Sequence, residues 1–348
     1  MTDLPLTKVA EDAATITLRW NPVAGVGYRF TREKAGGKYS HTWDASRSTA
    51  RFSRDSAWYS VQALGGTASG VYPPPSPPVA AIPKYGISTG ASPTNAVLDH
   101  CKEIGAEYVR FDYSHDQTGI ARVNRVHRNG QHVLLILRDN AAATAAYWRD
   151  KLPLRWYEIM NEPDLNGWSA AAYAPVAKRW CDELRQADPD CLISLPGHFK
   201  GRDAASSATE YARQVCATDA DFDVWSVHFA DDDTWNNPSS GWHLMFPHGD
   251  RARGDTIREI LDASGRSGVP IMSSESHAFY REGPSGQAAK VTRFLGYTET
   301  PPTAHGQPLA SVAIYRVDYN ESGSFDSSLL NPDGSKRPAW QAFKDAAT

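Results

Sequence analysis

RWYEIMNEPDLNGW, residues 155 to 168, reads as a strand that runs into a loop. Trp156, Tyr157 and Ile159 have the aromatic and β-branched character that suits a pleated, buried surface. Asn161, Pro163 and Asp164 then stop the run, because all three favour turns. The turn alone would account for the stop. A chemical account also exists, since Asn161 and Glu162 put a carboxamide beside a carboxylate at a strand end. That account needs a second carboxylate from elsewhere in the chain.

On both sides of this stretch the pattern alternates strand and helix. KYGIST (84–89) precedes a helix over about 93–105, with Pro93 near its first turn. YVRFDYS (108–114) precedes one near 117–130, and HVLLILRD (132–139) one near 141–151. After RWYEIMNEP comes a helix over about 169–187, then CLISLPGHF and a helix near 206–217. FDVWSVHFA (222–230) leads through a long loop to a helix near 253–265, and VPIMSSESHAF (269–279) to one near 285–297. LASVAIYRVDYN (309–320) and a helix near 338–346 complete the series.

Eight such units in roughly 265 residues match the ~250 of a (β/α)8 TIM barrel. The alternative, an open doubly wound sheet, usually has fewer strands, and GISTGAS after the first strand lacks its phosphate-binding glycine pattern. The barrel is therefore the expectation for residues 80–348.

Residues 1–71 have a different pattern. ATITLRWNPV, GYRFTRE, TARFS and WYSVQALGG are short alternating segments between turn residues, the pattern of a small β-sandwich. VYPPPSPPVAAIP (71–83), with six prolines, reads as an extended spacer, placed at 72–79.

The chain has 348 residues, 41% hydrophobic and 22% charged, with net charge −4. It has no basic stripe, so a nucleic-acid partner is not expected. No apolar run approaches the ~18 residues of a membrane span. The first residues lack the basic and apolar regions of a secretory signal, so an extracellular or virion-associated place implies another export route. Cys101, Cys181, Cys191 and Cys216 lack metal-ligand spacing and read as free thiols. Neither a metal nor another cofactor is expected, and the chain reads as a monomer.

In a barrel of this kind, chemistry sits on the C-terminal ends of the strands. Those ends carry Ser88; Arg110, Asp112 and Tyr113; Asp139 and Asn140; Asn161 and Glu162; His198; His228; Glu275 and His277; and Tyr315, Arg316 and Asp318. Glu162 ends the fourth strand and Glu275 the seventh, which face each other across the barrel mouth. Two carboxylates across a cleft are what glycoside hydrolysis requires, one as proton donor and one as nucleophile or base. Glu158 lies ~13 Å back along its strand from Glu162 and reads as a structural ion-pair member.

EIMNEPDLNGW followed by IMSSESHAF resembles the retaining glycoside hydrolases of the large (β/α)8 clan that includes β-xylosidases, cellulases and mannanases. The resemblance extends to the YVRFDYS strand and to KRPAWQAFKDA near the end. It implies that Glu162 is the acid/base and Glu275 the nucleophile. Asn161 would bind the sugar 2-hydroxyl, and Arg110 would orient Glu275. His228 occupies the place of that family's strand-6 histidine. Two positions later the family has a tyrosine where this chain has Ala230. Tyr315 or Arg316 stands where the family has a strand-8 tryptophan. Tyr315 could then support the nucleophile, or the support could be absent. LRWNPV and YSVQALGGTASG resemble a fibronectin type III module, with Trp20 as the core tryptophan. The usual corner tyrosine is Ala57 here, and Tyr59 lies nearer.

Each residue also has a plainer reading. His198, His228 and His277 could be structural donors, and Arg110 a core ion-pair member. HFADDDTWNN (228–237) lacks the EF-hand pattern and reads as a solvated acidic loop. Of Trp168, Trp235, Trp242, Phe246 and Tyr280, two or three are expected to line the cleft, since aromatic faces stack on sugars. Trp148, Trp156, Trp180 and Trp340 read as core. The function expected is hydrolysis of a β-glycosidic bond in a cell-wall or extracellular polysaccharide. The rivals are a glycan-binding or adhesion protein on a hydrolase-like barrel and a transglycosylase.

Overall fold

A computed structural model describes residues 82–90, 92–196, 208–230, 256–266, 268–301, 307–318 and 326–347, and the backbone of seven strands before residue 81. The chain divides into two units, one of Met1–Ile82 with Asp150–Leu154, the other of Pro83–Arg149 with Arg155–Thr348.

In the first unit, β1 (Thr7–Glu11), β2 (Thr15–Arg19) and β5 (Thr49–Ser53) form one antiparallel sheet in the order β1-β2-β5. A second sheet has the order β4-β3-β6-β7, with β3 at Gly27–Lys34, β4 at Gly37–Trp43, β6 at Trp58–Leu64 and β7 at Val79–Ala80. Val79, the last residue of the expected spacer, thus pairs in a strand, opposite Tyr59. The side chains of Trp20, Ala57 and Tyr59 lie outside the described residues.

The second unit is a closed barrel of eight parallel strands. They are β8 (Tyr85–Ser88), β9 (Tyr108–Tyr113), β10 (His132–Leu137), β11 (Trp156–Ile159), β12 (Leu192–Leu195), β13 (Val224–Ala230), β14 (Ile271–His277) and β15 (Val312–Tyr315). β15 pairs with β8 and closes the ring. Among the described residues the α-helices are α1 (Asn95–Glu103), α2 (Gln117–Arg128), α3 (Ala141–Trp148), α4 (Ala170–Ala187), α5 (Ala208–Cys216), α6 (Ile257–Ala263), α7 (Gly283–Gly296) and α8 (Pro338–Ala347).

Local chemistry sets these boundaries. Thr94, Asp116 and Ser169 each accept a backbone N–H three residues on and so cap α1, α2 and α4. Thr256 and Glu259 form a reciprocal capping box on α6. Pro93 therefore precedes the cap of α1 and does not occupy its first turn. HVLLIL is buried at every position but the first, as expected of a parallel strand covered on both faces.

The twofold repeat of a strand stacks the barrel interior in layers. At the bottom Tyr108 and Trp156 lie ring to ring at 4.9 Å, and the Trp156 Nε1–H donates to Ser194 Oγ at 2.6 Å. Gly86 makes room for this layer, since a Cβ there would meet the Tyr108 ring at 2.2 Å. Two residues further along the same strands are Arg110 and Glu158, both fully buried. Trp148, Trp156, Trp180 and Trp340 are all buried, as the sequence predicts. Cys101, Cys181 and Cys191 are buried free thiols, and Cys216 is a half-buried one.

His132 at the foot of β10 carries a pH liability. Burial, helped by the charge of His127, pushes its imidazole down to about 4. The unfolded chain takes up a proton near pH 6.5, whereas the folded chain does not until about pH 4. This stability is therefore complete above pH 6.5 and is lost as pH falls towards 4. His132→Gln is expected to raise the melting temperature at pH 4.5 by roughly 2–4 °C and to leave it unchanged at pH 8. Scanning calorimetry at the two pH values checks this.

Candidate active site

The fourth strand stops through its backbone. Met160 and Glu162 have φ of 66° and 42°, the left-handed region that non-glycine residues rarely enter and that costs about 1–3 kcal/mol each. Asn166 holds the reversal in place, donating from Nδ2 to the carbonyls of Asn161 and Glu162, both at 2.9 Å. The Glu162 side chain ends 18% exposed at the mouth.

A β-bulge delivers the second carboxylate. Between β13 and β14 the register moves from Val227↔Ser273 to His228↔Glu275, and between β14 and β15 from Ser273↔Val312 to Ser276↔Ile314. β14 has one more residue than either neighbour across this stretch. Such a bulge re-aims side chains, and here consecutive residues Ser274 and Glu275 both reach His228. Ser274 Oγ lies 3.1 Å from His228 Nε2, and Glu275 Oε2 3.7 Å from Nδ1.

Arg110 organises the floor. Its Nε and Nη2 donate to the two oxygens of Glu158 at 2.9 and 2.5 Å. Its Nη1 donates to Glu275 Oε1 at 2.5 Å and to Ser88 Oγ at 2.9 Å. Nη2 also donates to Asn161 Oδ1 at 2.7 Å. One planar guanidinium thus fixes three strand ends, which its rigid fork suits and a lysine would not.

His228 lies between the two candidate carboxylates, with no side-chain exposure. Its Nδ1–H donates to Glu162 Oε1 at 3.0 Å. Burial works against a charge on this ring, but Glu275 and Glu162 outweigh it and raise the imidazole above its ordinary pKa. The Glu275 carboxyl is likewise pushed up by burial, but His228, Arg110 and His277 outweigh that and hold it well below the usual carboxylate range. His277 Nε2 lies 3.2 Å from Glu275 Oε2, and Tyr315 packs on the His277 ring at 4.4 Å between centroids.

Glu162, His228 and Glu275 each bring one ligand atom to within 4.8 Å of the others, the geometry of a cation site. The charges around them do not suit a metal ion. Arg110 Nη1 already occupies Glu275 Oε1, and a ligating His228 would have to give up the proton its neighbours favour.

The structure therefore gathers Arg110, Asn161, Glu162, His228, Glu275 and His277 into one hydrogen-bonded cluster, with Tyr315 beside it. Trp168 is 38% exposed in the loop after β11, and its carbonyl accepts from the Tyr211 hydroxyl. Trp235, Trp242, Phe246 and His198 lie outside the described residues. Tyr280 is half-buried beneath the Arg337 guanidinium, 4.1 Å from the ring centroid. Glu158 is the buried ion-pair member that its position implies. Ser226 and Ser274 are participants that sequence reading did not single out, joined at 2.6 Å. Ser226 shares a face with His228, which period-2 counting could have shown. Ser274 depends on the bulge, which the pattern of IMSSESH does not announce.

No family model matches the chain, and no curated protein matches it. Solved structures do. A family 39 glycoside hydrolase from Bacteroides cellulosilyticus WH2 aligns over 99% of this chain and 82% of its own, with TM-score 0.51 and 13% identity. A glucosidase from Croceicoccus marinus aligns over 76% and 67%, with TM-score 0.55 and 12% identity. A GH128 endo-β-1,3-glucanase from Pseudomonas viridiflava aligns over 75% and 98%, with TM-score 0.50 and 12% identity. At such identities the likeness establishes the fold alone.

Proposed function

We propose that this chain is a retaining glycoside hydrolase, with Glu275 as nucleophile and Glu162 as acid/base. The observation that carries the reading is the carboxylate pair at the barrel mouth, with an oxygen from each within 4.8 Å of the other. Carboxyl groups ~5–5.5 Å apart suit direct attack by one of them, and ~6.5–9.5 Å leaves space for a water and inversion. The retaining choice rests on the motif resemblance, and the anomer test below decides it. The surrounding charges agree, because Arg110 and two histidines favour an ionised Glu275. The solved structures named above are glycoside hydrolases of the same barrel fold.

In the first step a Glu275 oxygen attacks the anomeric carbon while Glu162 protonates the departing glycosidic oxygen. The glycosidic bond breaks and a glycosyl ester forms. In the second step Glu162 takes a proton from water, the water oxygen attacks the same carbon, and the ester bond breaks. Two inversions leave the configuration retained. Asn161 is held by Arg110 where it can meet a sugar hydroxyl, an interaction that strengthens in the transition state. The motif resemblance implies a β-glycosidic link, and a sandwich domain attached to such a barrel points to a cell-wall or extracellular polysaccharide as the substrate. For the first unit, the three-plus-four strand order supports the fibronectin type III reading.

The test is incubation with plant and bacterial cell-wall polysaccharides, reading released reducing ends and the first-formed anomer by proton NMR. Release with retained configuration is expected. A first-formed inverted anomer, or tight glycan binding with no release from any polymer, would overturn the reading.

A further inference from the structure

A glutamate carboxylate turns easily about its last C–C bond, because that torsion is broad and roughly twofold. The two oxygens turn together, so one hydrogen bond to one oxygen leaves a soft arc that a second donor on the other oxygen narrows. Glu275 Oε1 is anchored from the floor by Arg110 at 2.5 Å. Oε2 faces two histidines, with His277 Nε2 at 3.2 Å and His228 Nδ1 at 3.7 Å.

His277 Nε2 is 3.2 Å from Oε2. An ionised carboxylate only accepts, so this contact requires the proton to be on Nε2. The imidazole is itself held, with Tyr315 on its ring at 4.4 Å and 36° and Phe279 at 5.8 Å. In the register of β13 with β14, His277 pairs with Ala230. Among the described residues, the charged groups around the contact include Glu275 on the same strand, with Arg110, His228 and Glu162 on its far side. Arg316, from the end of β15, lies against the Tyr315 ring.

We propose that His277 is a positioning residue, whose Nε2–H holds Oε2 while Arg110 holds Oε1, so that the carboxylate plane is fixed for attack. Tyr315 then serves the nucleophile through the face of its ring, by clamping the imidazole. Holding a nucleophile in near-attack geometry removes reorganisation from the barrier, and the cost of losing one donor appears in the glycosylation step. The kinetic half of this inference rests on the hydrolase reading, and the titration half on geometry alone.

The experiment compares wild type with His277→Phe, which keeps the ring and deletes the donor, and with His277→Gln, which returns an N–H to the same side. Turnover of an aryl glycoside with a poor leaving group, for which forming the glycosyl ester limits kcat, reports glycosylation. The carboxylate of Glu275 is titrated separately by NMR of protein carrying carbon-13 glutamate. In the phenylalanine variant kcat is expected to fall about 10- to 100-fold, the range for one hydrogen bond to a charged group. KM should change little, and the Glu275 titration should move upward. Gln should recover most of both. If the phenylalanine variant does not fold, His277→Asn, too short to reach Oε2, takes its place. Wild-type kcat and an unmoved titration in the donorless variant would overturn the proposal. A wild type that turns over no glycoside would sink the hydrolase reading, and the titration would still decide the role of His277.

Discussion

Glu275→Ala is expected to fold, because Arg110 keeps Glu158 as its partner, with a melting temperature several degrees below wild type. It is expected to lose at least about 10⁴-fold in kcat. Added azide should then separate the two carboxylates by product. In Glu275→Ala azide fits the space of the lost carboxylate and attacks once, giving a glycosyl azide of inverted configuration. In Glu162→Ala the nucleophile survives, so an activated aryl glycoside still forms the ester at Glu275. Azide then completes a second displacement and gives the retained product. Mass spectrometry and proton NMR of the azides read both results. An inverted azide from both variants, or from neither, would remove Glu275 from the nucleophile's place. The assignment depends on the bulge at Ser274, because a straight β14 would put Ser274 and Glu275 on opposite faces.

Arg110→Met is expected to damage stability and activity together, for one reason. It would leave Glu158, with no side-chain exposure, and Glu275, 8% exposed, without the cation that both face. Breaking a buried pair by removing one partner typically costs about 3–5 kcal/mol, which for a barrel of this size is a fall in melting temperature of roughly 10 °C. Activity should fall about 10²–10³-fold, as when a preorganised charge partner is lost. The double variant Arg110→Met/Glu158→Leu separates the two effects. Apolar replacement of a buried pair is often neutral, so stability should largely return while activity does not, because Glu275 still lacks its anchor.

The pH dependence has a definite sign. Glu275 is held below the usual carboxylate range in the folded protein. That stability is present above the unfolded value near 4.3 and is lost as pH falls through the folded one. The deficit of Arg110→Met should therefore narrow in acid. A deficit that widened below pH 4 would place the stabilising pair elsewhere.

For the barrel, much was legible in the sequence because its signals are local. Apolar strand runs, capping residues and turn formers act within a few positions, so the helices appear within a few residues of where the pattern places them. The two glutamates were legible for a similar reason, since counting strands places Glu162 and Glu275 at facing strand ends. What each residue does there was not legible. His228 and His277 stood in the sequence as sugar contacts or structural donors. The fold puts one between the two carboxylates and the other on Glu275, distances set by strands far apart in the chain. Ser274 joins them only because β14 has one residue more than its neighbours, a registry fact between strands that no single strand's pattern records. Periodicity thus fixes where a side chain can lie along its own strand. Hydrogen bonding between strands decides which partner it meets, and with it the charge that the site can hold.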